Sequence, residues 1–243
     1  MLPTANHPRL VQVGMLRHSS LQDARKWVDS RSNQTHLITH HQIATTMIYK
    51  LYNADTLNRY AKDCHQRSVA KGFWDGRNSV GHYLMLVFGE LHEAIEADRI
   101  GKWAKLDHDT IDTLQRIDGA PYAQEFLREV KDTVEDEIAD AVIRLLDLLG
   151  YILGDGVLYS FSVNTARGAY EKEDPPVMLT DALFPIIANA SDNLIFANTT
   201  AGILNSIKTL EQLCDHLGID LMTHIELKLK YNATRPALHG KKY

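Results

Sequence analysis

The sequence predicts an all-α protein, a helical bundle preceded by an N-terminal extension. Apolar residues recur every three or four positions along most of the 243-residue chain, as they do on the buried face of an amphipathic helix. Alternation of apolar and polar residues is almost absent, and only VLYSFSV at 157–163 is typical of a short strand. Residues 1–36 contain two prolines and scattered polar positions, so we assign them to the extension and residues 37–243 to the bundle domain.

The expected helices follow from where this periodicity starts and stops. The first begins near His40, and the second ends at Gly72, a residue type that favours helix termini. Pro121 suits the first turn of a long helix that continues to Gly150. After the helix near His40, the predicted helices cover, in chain order, about 54–72, 79–99, 109–116, 121–150, 180–190, 199–217 and 220–233.

Residues 151–217 separate the long acidic helix from the terminal helix. The first part of this segment contains the loop-forming sequences GDG, NTARG and EDPPV. The second part carries two amphipathic helices, whose apolar faces must be buried on the bundle or against a second subunit. We favour the bundle, with residues 199–217 packed beside its other helices.

Composition and charge argue against several classes of protein. With 44% hydrophobic and 23% charged residues, the chain has the composition of a globular domain. Its formal net charge of −5 gives no basic surface for duplex nucleic acid. Cys64 and Cys214 form no paired metal motif, so we expect reduced thiols. With no membrane span and no apolar leader in the sequence, we expect a cytoplasmic protein.

Two predicted helices carry paired carboxylates. Glu90 and Glu93 in GELHEAIEADR are three residues apart, which places both on one helical face. Glu137 and Asp140 in VEDEIADAVIRLLDLLG repeat this spacing, although Asp140 shares its face with Arg144 and Asp147, where a solvated surface is equally expected. One such pair is common in charged helices. Four oxygen ligands from two facing helices, however, suit a Mg²⁺ cluster.

Other readings of the charged residues stay open. A di-iron bundle would carry E-x-x-H, which neither acidic segment has. An HD-type phosphohydrolase would use a His-Asp pair, and His108-Asp109 is one, but it lies in a polar stretch and we interpret it, like His40-His41, as chance. A non-catalytic helical protein that binds nucleotides, with the acids only on its surface, is the third reading.

The acidic motifs resemble those of the MazG-like all-α nucleoside triphosphate pyrophosphohydrolases, a superfamily that includes dCTP pyrophosphatases and dimeric dUTPases. Their pattern is E-E-x-x-E on one helix and E-x-x-D on the next, and here Gly89 replaces the leading acid. The ending HIELKLKYNATRPALHGKKY resembles that of a MazG-like subgroup in bacteria and phages, and KGFWDG at 71–76 resembles the turn after the first family helix. Relative to the family pattern, residues 151–217 are a helical insertion.

The resemblance implies a metal-dependent reaction at the α phosphorus. Attack by an activated water would convert a (d)NTP into a (d)NMP and pyrophosphate, with two or three Mg²⁺ ions, or Mn²⁺, held by the four acids. By analogy with the family, Glu90 is also the catalytic base. The implied metal ligands are Glu90, Glu93, Glu137 and Asp140.

The resemblance also implies how the substrate is bound. Lys228, Asn232 and, if the helix persists, Arg235 share one face and would contact phosphate together with Lys241. Phe73 and Trp74 would lie near the base. Family members are usually dimers or tetramers, so we expect a homodimer or homotetramer. The base, the sugar and a possible alarmone substrate such as ppGpp stay open.

Overall fold

Helices make up almost all of the chain that the structure describes. The computed structural model describes residues 51, 53–76, 78–104, 106–158, 178–195 and 199–242, with only the helical backbone at 189–195. No strand occurs in these ranges, which confirms the all-α class. The helices are α1 (Ala54–Ala70), α2 (Val80–Arg99), α3 (His108–Arg116), α4 (Gly119–Glu129), α5 (Val134–Leu153), α6 (Leu179–Ile195), α7 (Thr199–Leu217), α8 (Leu221–Thr234) and a short 3-10 helix (Ala237–Gly240).

Helix α5 forms the centre of the bundle. It packs against α1, α2, α7 and α8, so nearly every residue over its first four turns is buried. Ile138, Val142 and Leu145 lie on one side, and Ala139 and Leu146 on another, all with at most 1% exposure. A helix that is apolar on more than one side is stable only inside a bundle, because water would otherwise contact its hydrophobic surface.

The single long helix predicted for residues 121–150 is instead two helices. Between α4 and α5 the chain turns at residues 130–133, where Asp132 has a left-handed φ of 60°. Thr133 caps α5, because its hydroxyl accepts a hydrogen bond from the Asp136 amide at 3.2 Å. The acidic residues Glu135 and Glu137 follow in the first turn, where the helix dipole favours them. Thr133 followed by three acidic residues is a sequence signal for a helix start, but the continuous apolar periodicity favoured one uninterrupted helix.

A smaller hydrophobic cluster attaches α3 and α4 to α8. Tyr122 and Phe126 from α4 are fully buried against Leu114 and Leu227, and the Tyr122 hydroxyl donates to the Leu227 carbonyl. Tyr231 stacks on Phe126 with ring centroids 4.4 Å apart. These contacts hold the terminal helix α8 against the N-terminal part of α5.

The described part of the segment 151–217 packs on the bundle. Helices α6 and α7 contact each other, α6 contacts α2, and α7 contacts α5. Helix α7 has the predicted bounds and contributes Ile203, Ile207 and Leu210 to the main core. The predicted strand lies mostly in 159–163, outside the described residues, as do the extension at 1–36 and the helix near His40.

Helices α1 and α5 approach each other most closely at a glycine. A Cβ at Gly150 would lie 2.3 Å from the Ala61 carbonyl oxygen and 2.7 Å from the His65 Cβ. Only glycine allows this separation of the two backbones.

Among the described helices, none combines the length and apolar character needed to span a bilayer.

Candidate functional site

Three of the four predicted ligand carboxylates meet between α2 and α5. One oxygen from each of Glu90, Glu137 and Asp140 lies within 4.8 Å of the other two. Glu90 is 5% exposed and Glu137 is 1% exposed, so this group of acids, which we call the carboxylate cluster, lies at the edge of the core. Like charges this close repel strongly unless cations compensate them.

Each acid of the carboxylate cluster is paired with a cation. Arg144 donates to Oε1 of Glu90 from Nε at 2.8 Å and approaches it from Nη2 at 2.6 Å. Lys131 Nζ lies 3.1 Å from Glu137 Oε1, and Lys228 Nζ lies 3.3 Å from Asp140 Oδ2. One oxygen of each carboxylate is thus engaged by a cation from the part of the chain that the structure describes.

Burial and charge set the protonation of the cluster. Burial, together with Asp140 and Glu93, raises the pKa of Glu90 above its ordinary range. Burial opposes ionisation of Asp140 as well, but Lys228 and Arg144 outweigh it and lower that pKa to about 2. Burial raises the pKa of Glu137 to about 8 despite Lys228 and Lys131. Burial thus opposes the ionised form of Glu137, which is the form that binds a cation.

The carboxylate cluster fits a hard divalent cation. Carboxylate oxygens are the preferred protein ligands of Mg²⁺ and Mn²⁺. Glu137 Oε2 is buried and has no hydrogen-bond partner among the described residues, a situation that costs free energy unless a ligand relieves it. Asp132, Asp136 and Glu137 form a second group with suitable spacing. In that group Asp136 already accepts bonds from Lys228 at 2.8 Å and from the Asp132 amide at 3.0 Å.

Glu93 is not brought into either carboxylate group. Its side chain is exposed on α2, one turn beyond Glu90, and its charge helps to raise the pKa of Glu90. The i, i+3 spacing placed both acids on neighbouring positions of α2, but only Glu90 faces α5.

A cavity of about 230 Å³ adjoins the cluster, between α1, α2, α5, α8 and the C-terminal segment. Asp140, Arg144 and Asp147 all line this cavity. The polar face of α5, for which the sequence allowed a solvated surface, is therefore a cavity wall. Arg67 and Lys71 add positive charge, and apolar side chains cover another part of the wall: Phe73, Leu86, Ile143 and Leu229. Arg144 and Asp147 were not among the predicted site residues, although they continue the i, i+4, i+7 series from Asp140.

Lys228 and Asn232 lie at the site in different ways. Lys228 is 1% exposed and bonds Asp136 and Asp140, so in this structure its ammonium neutralises carboxylates and is not open to a phosphate. Asn232 lines the cavity, and its Oδ1 is buried with no hydrogen-bond partner among the described residues. Asn232 is therefore poised to bind a ligand group, whereas a phosphate would have to compete for Lys228.

The terminal helix does not persist through Arg235, so Arg235 does not share a helical face with Lys228 and Asn232. Helix α8 ends at Thr234, and Arg235 is extended because the residue before a proline disfavours the helical region. The Arg235 Nη2 donates a hydrogen bond to the His239 carbonyl at 3.2 Å. Leu238 and His239 then adopt left-handed φ values of 49° and 53°, and the tail returns so that the Leu238 amide donates to the Lys71 carbonyl at 2.8 Å. Lys241 is exposed beyond this turn.

The two aromatic residues of KGFWDG have different surroundings. Phe73 lines the cavity and contacts the edge of His239, with ring centroids 5.0 Å apart. Trp74 is not a lining residue; it stacks on Tyr83 and Tyr151 at 4.1 and 4.3 Å, and its Nε1 donates to Asp147 at 2.9 Å. Phe73 is thus the one of the pair that a base in the cavity would meet.

The remaining polar candidates lie away from the cavity or are inert. His108 and Asp109 are both exposed at the start of α3 and belong to neither carboxylate group. Cys64 and Cys214 are free and buried, and burial raises the pKa of both thiols. His40-His41 lies outside the described residues.

Comparisons with known proteins add no family assignment. No protein-family model, curated protein or solved structure matches this chain.

Proposed function

We propose that the protein is a magnesium-dependent nucleotide pyrophosphohydrolase of the MazG-like kind, which cleaves a (d)NTP between its α and β phosphates. The observation that carries this proposal is the carboxylate cluster at the end of a cavity whose wall holds cations at one part and apolar side chains at another. Such a cavity suits a molecule with an anionic end and a flat, partly apolar end.

The chain supplies the parts that this reaction needs. Glu90, Glu137 and Asp140 would hold Mg²⁺, or Mn²⁺ in its place, and the ion would neutralise phosphate charge and lower the pKa of the attacking water. Glu90 suits the role of proton acceptor, because burial raises its pKa towards the working pH. Arg144 lines the cavity; its Nε and Nη2 contact Glu90, and the remaining N–H groups of its planar guanidinium can bind phosphate oxygens.

One observation favours a non-catalytic nucleotide-binding protein instead. Every acid of the carboxylate cluster already has a cation from the chain itself, which is what purely structural buried charges require. The two functions differ in their products. We therefore expect a panel of (d)NTPs and ppGpp with Mg²⁺ to yield the monophosphate and pyrophosphate from at least one nucleoside triphosphate. Orthophosphate or nucleoside would indicate another metal phosphohydrolase, and unchanged nucleotides would support the non-catalytic reading.

A matched pair of variants tests the role of the cluster. Glu137→Gln keeps the size of the side chain but removes one anionic ligand, and we expect a loss of activity of about a hundredfold or more with the fold retained. Glu96→Gln, on the exposed side of α2, removes only a surface ion pair with Arg99 and serves as the control. Wild-type turnover by Glu137→Gln at saturating Mg²⁺ would refute the metal assignment.

We also propose a homodimer or homotetramer. Large apolar side chains are exposed on α2 and beside it on α6, including Met85 (64%) and Phe184 (69%), and assembly would cover such groups. Light scattering on the purified chain measures the oligomeric state, and a monomer at micromolar concentration would refute this part of the proposal.

A further inference from the structure

Asp147 lies on the cavity wall at a distance from the carboxylate cluster. Asp140 and Asp147 both line the cavity from α5, and seven residues of α-helix rise by about 10 Å. A nucleotide whose α phosphate lies at Asp140 and whose base points along α5 would bring the base towards Asp147. This placement rests on the proposed function.

The carboxylate of Asp147 is held by donors from α1 and from the turn after it. His65 Nδ1 lies 2.9 Å from Oδ1, and it is the donor when the carboxylate is ionised. Burial raises the pKa of Asp147, whereas the bonds from His65 and Trp74 favour the ionised form. Trp74 Nε1 donates to Oδ1 at 2.9 Å and reaches Oδ2 at 3.3 Å. The stacking of Trp74 on Tyr83 and Tyr151 fixes its indole, so the carboxylate is oriented before any ligand binds.

This carboxylate keeps capacity for one more donor. A carboxylate offers about four acceptor positions, and the contacts of His65 and Trp74 occupy at most three of them. The Asp147 side chain is 14% exposed, and it lines the cavity. Two cations from α1 and its C-terminal end also line the cavity, and both already have partners. Lys71 bonds a backbone carbonyl, and Arg67 bonds Asp63.

We infer that Asp147 is a specificity-determining residue that accepts a hydrogen bond from the amino group of the substrate base. The substrates are then nucleotides of cytosine, adenine or guanine. Uracil and thymine present a carbonyl oxygen where cytosine presents its amino group, and that oxygen would face the carboxylate without a proton between them. A site built around a hydrogen bond rejects the analogue that cannot make it, because its own polar group is then left unpaired.

The test compares dCTP with dUTP, which differ at this position of the base. We expect the wild-type protein to have at least a tenfold higher kcat/KM for dCTP. Asp147→Asn keeps an oxygen for His65 and Trp74 but can offer its amide N–H₂ to the cavity, so the dCTP preference should fall to parity or reverse. Asp112→Asn, the same change on the exposed side of α3, should leave the preference intact.

Binding without metal separates this inference from the proposed function. In EDTA, calorimetry should give a dissociation constant for dCMP at least tenfold below that for dUMP, and Asp147→Asn should remove the difference. If no nucleotide is hydrolysed but this binding pattern holds, the inference stands and the proposed function fails. Equal use or equal binding of the two bases by the wild-type protein overturns the inference without any variant, and so does a folded Asp147→Asn protein with unchanged discrimination.

Discussion

Replacement of Lys228 by methionine should destabilise the protein strongly. Methionine matches the length of the lysine side chain and packs well, but it leaves Asp136 and Asp140 without their shared cation. Asp136 has 0% exposure and lies 2.8 Å from the Lys228 ammonium, and Asp140 lies 3.3 Å from it. Burial disfavours the ammonium, but the two carboxylates outweigh that effect and hold the pKa of Lys228 above its ordinary value.

The size of the effect follows from these distances. At an effective dielectric constant of about 20, charges at these separations attract by roughly 6 and 5 kcal/mol, most of which offsets desolvation. Removal of one partner from a buried pair costs about 3–5 kcal/mol, because a buried charge is left uncompensated. Domains are stable by only about 5–15 kcal/mol, so Lys228→Met should lose roughly a fifth or more of the free energy of unfolding.

Urea denaturation followed by circular dichroism measures this loss. The double variant Asp136→Asn/Lys228→Met no longer has an uncompensated charge at the fully buried position 136. It should therefore recover at least half of the free energy of unfolding that Lys228→Met loses. A loss below about 1 kcal/mol in Lys228→Met would show that the two carboxylates do not need this cation, and the account of the site's charge balance would be wrong.

Three further predictions test other parts of the structure. Glu93→Gln should reduce activity less than tenfold, because its exposed side chain lies outside the carboxylate cluster, and an effect as large as that of Glu137→Gln would place Glu93 among the ligands. Burial lowers the pKa of His224 from 6.5 to about 4, so the unfolded chain binds the proton more tightly than the folded chain. The contribution of neutral His224 to the free energy of unfolding is therefore fully present above pH 6.5, and up to about 3 kcal/mol is lost as the pH drops through 4. His224→Leu should flatten this part of the pH profile in urea titrations, and an unchanged profile would exclude His224 as its source. Gly150→Ala should destabilise by about 1–3 kcal/mol or more through overlap with Ala61, whereas Gly89→Ala, with open space around it, should stabilise slightly; equal effects on thermal unfolding would contradict the close packing of α1 on α5.

Local periodicity was sufficient to predict much of the fold and the position of the carboxylate cluster. Helical periodicity placed Glu137 beside the apolar arc of α5 and Glu90 beside that of α2, and these two carboxylates meet in the structure. For Asp140 the periodicity favoured a solvated face equally, and only the fold brings it to the cluster. Helix α7 followed from its apolar face alone. These features depend on residues that are near one another in the chain.

The features that could not be predicted depend on partners far away in the chain. The hydrogen bond between Lys228 and Asp136 spans 92 positions, so nothing near Lys228 indicates that its ammonium is buried. Trp74 bonds Asp147, 73 positions away, and stacks on Tyr151. The resemblance of KGFWDG, which implied a place near the base for Trp74, gives no information on these tertiary contacts. Helical periodicity indicates which face of α5 is apolar, but it does not indicate that the polar face closes a cavity with α1 and α8.

The left-handed turn of the C-terminal tail has a consequence for how a ligand enters. Leu238 and His239 are not glycines, and each costs about 1–2 kcal/mol in that conformation. The bond from the Leu238 amide to Lys71 and the contact of His239 with Phe73 offset this cost only while the tail is closed. Opening of the tail gives up these contacts but releases the conformational cost, so its net free energy is small compared with that of separating two helices. One wall of the cavity can therefore move aside while α1, α5 and α8 stay packed, and the Leu238 amide should exchange its hydrogen with solvent far faster than the amides of α5.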